Sequence, residues 1–378
     1  MNIGIYADAL QTRKVFGIGN FLINFLSELK KKKGIDINLL LLENHPYILP
    51  FDEKYEFKKQ FYGIKVPRNK LFKPLNKIIA HNQISSKTEF DVLYWPHQQI
   101  YFFSKPHSPL VFTLHDLIPL KFPHWHSKFT TFFDYSIMLR RAIKLARKII
   151  CVSFTTKMDF EYFFGRKREL NEKLEVIYNG IDIRKYYPRS KKEIEFIRKK
   201  FGISKDYILY TGGFHPRKNV ETLIKAFEIV KKKYDIQLVL TGEGLNVFKN
   251  FDAAYHSCKE KRDIIILGFI PQHLLPALYS GATIYVNPSL YEGFGFGSIE
   301  ALSCGVPVIA SNIPVVNEIL PIVEKFNPLN TKELAEKISL LIENKKRAKE
   351  IVRKGKKITK VYSLERMINS YIEIFESL

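Results

Sequence analysis

Short runs of consecutive apolar residues, separated by longer amphipathic segments, run the length of the chain and restrict it to one kind of fold. Residues 2–6, 36–42, 91–94, 109–114, 148–152 and 174–178 read as strands. Several are apolar at successive rather than alternate positions, as strands must be when both faces of their sheet are covered. Helical patterns over about 18–32, 130–147 and 154–164 lie between them. Such β-α-β alternation builds an open parallel sheet with helices on both faces.

The rhythm breaks between Asp182 and Asp206. There Tyr187-Pro188 precedes the charged run Ser190-Lys191-Lys192-Glu193 and one amphipathic helix. It then restarts, with strands near 207–211, 236–241, 263–267, 283–286, 306–310 and 322–326. Helices are expected near 219–233, 271–281, 297–303, 331–344 and 363–377. A chain of 378 residues exceeds one ordinary domain and suits two. The expected organisation is an N-terminal domain over 1–183, a linker with its helix over 184–205, a C-terminal domain over 206–360, and a last helix over 361–378. Both domains are α/β and doubly wound. Ligands of such sheets sit beyond the carboxyl ends of the strands, so a cleft between the domains is the expected site.

The formal net charge is +22. It fits nucleic acid, an anionic membrane surface, or the Lys-rich usage of a particular genome. Residues 57–88 hold Lys58, Lys59, Lys65, Arg68, Lys70, Lys73, Lys77 and Lys87 and no acid. Phe61, Tyr62, Leu71, Phe72, Leu75, Ile78 and Ile79 interleave with them. This mixture suits peripheral contact with anionic headgroups, or equally a solvated helix face with a buried side. No apolar run approaches the roughly 18–20 residues that span a bilayer. The opening Met-Asn-Ile-Gly-Ile-Tyr-Ala-Asp lacks a basic region followed by an apolar stretch and reads as a first strand. Cys151, Cys258 and Cys304 are few, scattered and odd in number, which suits a reducing, cytoplasmic location.

Four constellations carry chemistry. In Val15-Phe16-Gly17-Ile18-Gly19-Asn20, Gly17 and Gly19 let phosphate or sugar approach the backbone where a helix begins, or simply make a helix-entry turn. In Thr113-Leu114-His115-Asp116-Leu117, a His-Asp pair ends a strand. The imidazole there can meet a sugar hydroxyl or accept a proton, or can be a core histidine satisfied by backbone. In Tyr210-Thr211-Gly212-Gly213-Phe214-His215-Pro216-Arg217-Lys218-Asn219, Gly212 and Gly213 allow a tight turn. Arg217 and Lys218 then put positive charge at a helix start, where a diphosphate would be neutralised. The fourth is Glu292-Gly293-Phe294-Gly295-Phe296-Gly297-Ser298-Ile299-Glu300. Its carboxylates suit vicinal hydroxyls of ribose and hexoses, and its glycines open the loop to a ligand.

Two patterns are missing: an Asp-x-Asp at a strand end to hold a divalent metal, and a Gly-x-x-x-x-Gly-Lys-Ser/Thr phosphate loop. The sequence thus calls for no metal and no cofactor, with basic side chains and helix dipoles serving the diphosphate. No recognised nucleic-acid motif occurs, so no nucleic-acid partner is expected.

In their order, these blocks resemble glycosyltransferase family 4, the retaining GT-B enzymes with two Rossmann-like domains. The resemblance is strengthened by Val152-Ser153, Val176-Ile177-Tyr178-Asn179-Gly180-Ile181-Asp182, Thr241-Gly242-Glu243-Gly244, Leu267-Gly268-Phe269-Ile270 and Cys304-Gly305-Val306-Pro307-Val308-Ile309-Ala310-Ser311. It implies roles. Glu300 would bind the nucleotide ribose and Glu292 the hydroxyls of the transferred sugar. Lys218, with Arg217, would hold the diphosphate, and Gly19 would let the first domain's loop close on it. His115 would touch the donor sugar near the reacting carbon, and Phe269 and Ile270 would lie where the base docks. The last helix would cross back to the first domain. His115, Glu292 and Lys218 are the candidate catalytic residues. Asp116, Gly17, Gly212, Gly213, Gly293, Phe294, Gly295 and Phe296 complete the candidate substrate site.

The block His115-Asp116-Leu117-Ile118-Pro119-Leu120 with Pro216-Arg217-Lys218-Asn219 is similar to bacterial mannosyl- and rhamnosyltransferases of surface-polysaccharide synthesis, lipopolysaccharide included. That implies a nucleoside-diphosphate sugar donor, mannose-type favoured, and a glycan or polyprenyl-linked saccharide acceptor. Two departures stand out: Gly213 where many members carry Arg, and Phe296-Gly297-Ser298 where Leu-Pro or Leu-x is more usual. The alternatives are a nucleotide-sugar epimerase of the same fold, a basic nucleic-acid-binding protein, and a scaffold without activity.

Overall fold

The computed structural model describes residues 1–11, 17–43, 57–63, 73–243 and 248–378. They fall into two compact units, Met1–Gly180 with Leu364–Leu378, and Ile181–Ser363.

The first unit holds a seven-stranded sheet of β1 (Asn2–Tyr6), β2 (Asp36–Leu42), β3 (Lys58–Tyr62), β4 (Val92–Trp95), β5 (Leu110–Leu114), β6 (Lys148–Cys151) and β7 (Leu174–Val176). All neighbours are parallel and their order is β3-β2-β1-β4-β5-β6-β7. The inner strands are apolar at consecutive positions because each side of the sheet carries its own core. On one side Ile3, Ile5, Phe25, Leu26 and Val111 pack with Ile368 and Tyr371. On the other Leu40, Leu93, Trp95, Phe112, Leu139 and Phe160 pack together. The helix Leu364–Glu376 is fastened to the sheet by the Tyr371 hydroxyl, 2.8 Å from Thr113 Oγ1.

Strand β3 is absent from the sequence reading. Among the described residues it pairs only with β2, at the sheet edge, and its Lys-Lys-Gln-Phe-Tyr is partly exposed on both faces. An edge strand needs no apolar run, and its lysines discourage pairing with another chain. The pattern over 130–147 reads as one helix but is a π-helical stretch, Thr130–Met138, continued by Leu139–Leu145.

The second unit holds β8 (Tyr207–Thr211), β9 (Gln237–Thr241), β10 (Ile264–Ile266), β11 (Ile284–Asn287), β12 (Val308–Ser311) and β13 (Glu324–Phe326). They form a parallel sheet in the order β10-β9-β8-β11-β12-β13. The helix Lys191–Lys200 belongs to this unit and packs on Leu275–Ser280. It is entered through a capping box, in which Ser190 and Glu193 satisfy each other's backbone N–H.

Both sheets reverse their winding once, between β1 and β4 and between β8 and β11. The connections leave in opposite directions there, so the loops at the strands' carboxyl ends diverge and open a crevice. That geometry decides where polar side chains can gather in each unit.

Candidate active site

In the second unit the crevice is lined by the loops after β8 and β11. The first runs through Gly212 and Gly213 into the 3-10 turn Pro216–Lys218 and then the helix Val220–Lys231. Asn219 joins turn to helix at φ 52°, a left-handed conformation that Asn tolerates. Its side-chain amide donates to the carbonyls of Pro288 at 3.0 Å and Pro328 at 2.8 Å. Its carbonyl accepts from the Thr222 hydroxyl at 2.7 Å. Asn219 thus clamps the basic turn to the loop after β11, and Leu290 N–H closes the clamp on the Arg217 carbonyl at 2.7 Å.

The clamp brings the Lys218 ammonium onto Glu292 Oε1, while Arg217 donates to Glu292 Oε2 at 3.1 Å and the Ser289 hydroxyl to Oε1 at 2.8 Å. Burial alone would raise the Glu292 carboxyl. The two cations and the hydrogen bonds from Lys218 and Ser289 outweigh it and hold the group at about 2. Glu292 is therefore an ionised counter-charge that keeps Lys218 and Arg217 converged in the crevice.

Glu300 stands apart, on the helix Phe296–Ser303. Burial raises its pKa, opposed by hydrogen bonds from Tyr279 and Tyr186. The Tyr279 hydroxyl donates to Glu300 Oε2 at 2.8 Å and lies 2.7 Å from Thr211 Oγ1, which lies 3.2 Å from the Tyr285 hydroxyl. With Glu300 ionised the chain has one direction: Tyr285 donates to Thr211, Thr211 to Tyr279, Tyr279 to Glu300. Two hydroxyl donors leave part of the carboxylate's four-fold acceptor capacity for a ligand.

The Tyr285 hydroxyl also accounts for Gly297, within the segment that departs from the more usual Leu-Pro or Leu-x. A Cβ at 297 would lie 2.2 Å from that hydroxyl and 2.9 Å from Thr211 Oγ1. The Tyr285 ring is buried on β11 and has no room to withdraw. Gly297→Ala is expected to destabilise by about 1–3 kcal/mol, as overpacked cores do, and to weaken the tyrosine chain at Glu300. Urea unfolding checks it; a change under about 0.5 kcal/mol, the size of an ordinary surface substitution, contradicts the role given to Gly297.

The first unit gathers its own polar cluster where β1 and β4 diverge. Asp8 follows β1, His97 follows β4, and His97 Nε2 lies 3.0 Å from Asp8 Oδ1. Lys77, from the helix Lys73–Lys87, reaches Asp8 Oδ2 at 2.6 Å. His97 Nδ1 accepts the Gln99 N–H at 3.2 Å, so its proton sits on Nε2 and points at Asp8. Burial would raise Asp8, but Lys77 and His97 hold it well below the usual carboxylate range.

This cluster braces His115. Residues 96–98 are pinned through His97. The Pro96 carbonyl accepts from His115 Nε2 at 2.7 Å, and Gln98 Oε1 accepts the His115 backbone N–H at 3.3 Å. The Phe21 ring sits edge-on at 5.2 Å. Burial lowers the imidazole to about 4, so it is neutral at pH 7, with its proton on Nε2 and an acceptor lone pair on Nδ1. The Asp116 carboxylate accepts the Ile118 N–H at 3.2 Å.

The structure brings Lys218, Arg217 and Glu292 together and keeps Glu300 separate within the same unit. Gly213 lies against the Glu243 carbonyl, which accepts the Phe214 N–H at 3.1 Å. Gly293 and Phe296 are half-buried, and Phe294 is buried, edge-on to Tyr362 at 5.6 Å. Gly295 precedes the Glu300 helix at φ 91°. Phe269 is 37% exposed, whereas Ile270 is 7% exposed and offers little surface to a ligand. In the first unit Gly17 and Gly19 open the helix Gly17–Leu29, Gly17 exposed and Gly19 buried; Val15 and Phe16 lie outside the described residues. Of the basic segment 57–88, residues 64–72 also lie outside them, and Lys77 turns inward to Asp8. Asp8, His97, Tyr186, Tyr279 and Tyr285 were not singled out from the sequence, and Lys77 was read there only as one cation of the basic stretch 57–88: each is an ordinary residue locally, and the tertiary fold assembles them. Among the described residues, no group of three or more His, Cys, Asp or Glu side chains is placed to hold a metal ion. Nor is any helix among them long and apolar enough to cross a membrane.

Two family models match the chain: Glycosyltransferase Family 4 over residues 16–185 and Glycosyl transferases group 1 over residues 193–358. With two parallel doubly wound sheets and matches to both halves, the chain belongs to glycosyltransferase family 4 and has the GT-B fold. It is 31% identical over 209 residues to O-antigen chain mannosyltransferase B of Escherichia coli, covering 53% of this chain and 52% of that one. It is 27% identical over 200 residues to O-antigen chain mannosyltransferase RfbU of Salmonella typhimurium, covering 53% and 51%. The chain thus spans about half the length of the curated relatives it matches. Among solved structures, Anabaena HepE in complex with UDP and glucose superposes with a TM-score of 0.80 over 100% of this chain and 99% of that one, at 21% identity. WaaG, a glycosyltransferase involved in lipopolysaccharide biosynthesis, gives 0.75 over 99% of each chain at 15% identity. Likeness at that identity concerns the fold.

Proposed function

We propose that the protein transfers a hexose, mannose-type favoured, from a nucleoside-diphosphate sugar to a glycan or polyprenyl-linked saccharide, with retention at the anomeric carbon and without a metal. The observation that carries this reading is the convergence of Lys218 and Arg217 on Glu292 at the crevice of the second sheet. Two cations held at a helix start by one carboxylate are ready to exchange it for the oxygens of a diphosphate. Glu292, released in part, then accepts hydrogen bonds from sugar hydroxyls. Glu300 uses its remaining lone pairs for the ribose, and neutral His115 accepts a sugar hydroxyl at Nδ1.

As the bond between the anomeric carbon and the phosphate oxygen breaks, its electron pair passes to the diphosphate. Lys218, Arg217 and the helix start stabilise that charge. The acceptor oxygen forms its bond on the same face, and its proton passes to the departing phosphate. The mannosyltransferase relatives support the hexose and acceptor class, and such acceptors would place the reaction at the cytoplasmic face of a membrane.

Incubation with GDP-mannose or UDP-glucose and a polyprenyl-linked saccharide tests the proposal, with the product anomer read by NMR. Retained configuration and activity undiminished in EDTA are expected. An inverted product, or a strict need for divalent metal, overturns the mechanism.

A further inference from the structure

We infer that Tyr135, in the π-helical stretch Thr130–Met138, is a positioning residue for His115 and acts through the side chain of Gln98. At the end of that stretch the Leu139 N–H reaches back five residues to the Asp134 carbonyl. The Ser136 hydroxyl likewise donates to the Thr131 carbonyl, at 3.2 Å. Wide turns of this kind are rare and occur frequently at functional sites.

The loop between β4 and β5 grips this one along its length. The Tyr101 hydroxyl donates to Asp134 Oδ1 at 3.1 Å. Farther along, Arg141 Nε donates to the Phe102 carbonyl at 2.7 Å, and Arg141 Nη2 to the Phe103 carbonyl. The Tyr135 hydroxyl accepts from Gln98 Nε2 at 3.0 Å. Tyr135 is buried, and burial, then the Asp116 carboxylate, raise its pKa, so the group stays a neutral hydroxyl.

Gln98 passes the restraint on. Its Oε1 accepts the His115 N–H at 3.3 Å, and its Nε2 donates to the Asp116 carbonyl at 3.3 Å. One amide thus spans the two residues where the chain leaves β5. A backbone N–H only donates and a carbonyl only accepts, so the pairing works with the amide in a single orientation. Both bonds are at the long end for N–H···O, and the shorter one to Tyr135 keeps the amide in place. His115 is therefore held twice, at its ring by the Pro96 carbonyl and at its backbone by Gln98. The His97 cluster supports the first hold, and the π-helical stretch supports the second. Displacing a reacting group by about 1 Å costs on the order of a hundred-fold in rate. The inference rests on the reading in which His115 meets the donor sugar.

Two variants test it. Tyr135→Phe keeps the buried ring and removes the hydroxyl; Gln98→Met keeps the length and removes the amide. The measurements are turnover of GDP-mannose and UDP-glucose, calorimetric affinity for GDP and UDP, and nitrogen NMR of the histidine rings, with His115 assigned by its loss in His115→Ala. The parent should show His115 as the Nε2–H tautomer at pH 7, and both variants an average of the two tautomers. Turnover should fall roughly ten-fold in Tyr135→Phe and roughly a hundred-fold in Gln98→Met. Affinity for GDP and UDP should not change, because Lys218, Arg217 and Glu300 lie in the second unit. Tyr207→Phe is the control: it removes another buried hydroxyl, one that donates to the Leu278 carbonyl at 2.6 Å. It should lower the melting temperature as Tyr135→Phe does and keep the parental turnover and His115 spectrum. A parental tautomer in both variants, or a loss of turnover that Tyr207→Phe reproduces, overturns the inference. Parental turnover in His115→Ala would instead remove the donor role of His115, and the tautomer result alone would then decide whether Tyr135 and Gln98 position it.

Discussion

Lys218→Ala is expected to lower affinity for a nucleoside diphosphate by roughly ten- to a hundred-fold, the worth of one or two hydrogen bonds to a charged group. The effect has two parts. The diphosphate loses a donor, and Glu292 loses its closest counter-charge while keeping Arg217 at 3.1 Å. Removing one partner from a largely buried ion pair costs more than removing both. The double variant Lys218→Met with Glu292→Gln should therefore recover folding stability but not diphosphate affinity, which separates the ligand role from the packing role. The pH dependence has a definite sign. Glu292 is held down at about 2, so its stabilising contribution is present above the ordinary carboxylate range near 4 and is lost as pH falls through 2. Lys218→Ala should shift that loss to higher pH. Calorimetric titration with GDP and UDP, and acid unfolding, are the measurements. Unchanged affinity removes Lys218 from the site.

The second large effect lies in the first unit. Asp8→Ala is expected to cost about 3–5 kcal/mol, because it removes the acid from a cluster in which Lys77 and His97 both depend on it. The Asp8 pKa is depressed well below the ordinary value, so its contribution is whole above the unfolded value near 4 and is lost progressively below that as pH falls towards the folded pKa. The gap between parent and variant should therefore narrow as pH drops below about 4. Because His97 pins the loop whose Pro96 carbonyl holds His115, donor turnover should fall as well. Little further loss should appear when the change is made on top of His115→Ala. Urea unfolding at several pH values checks the first part, and the double-mutant cycle the second. A cost below about 1 kcal/mol, or full additivity with His115→Ala, contradicts the assignment.

Legibility in the sequence followed burial. Strands such as Asn2–Tyr6 and Tyr207–Thr211 announce themselves because covered faces demand consecutive apolar residues. Edge strand Lys58–Tyr62 makes no such demand and was missed. So was the helix Lys345–Thr359, whose buried contact rests on little more than Ile351, Gly355 and Thr359. Lys218 and Glu292 were each legible from local glycine and charge patterns. Their pairing, across 74 residues of sequence, was not, since it depends on β8 and β11 being neighbours. For the same reason the Tyr279, Thr211 and Tyr285 hydroxyls carried no signal, though they set the environment of Glu300. His115 was recognisable as a residue type at a strand end; its tautomer required the Pro96 carbonyl.

The proposed function makes the second unit a nucleoside-diphosphate site with Lys218 and Glu300 in separate roles. Titration of the parent, Lys218→Ala and Glu300→Gln with GDP, UDP and their 2′-deoxy forms tests it most directly. The expected result is binding of at least one ribonucleotide, loss with Lys218→Ala for ribo and deoxy forms alike, and loss with Glu300→Gln of the preference for ribose. No binding of any nucleoside diphosphate by the parent, or a ribose preference that survives Glu300→Gln, would contradict it.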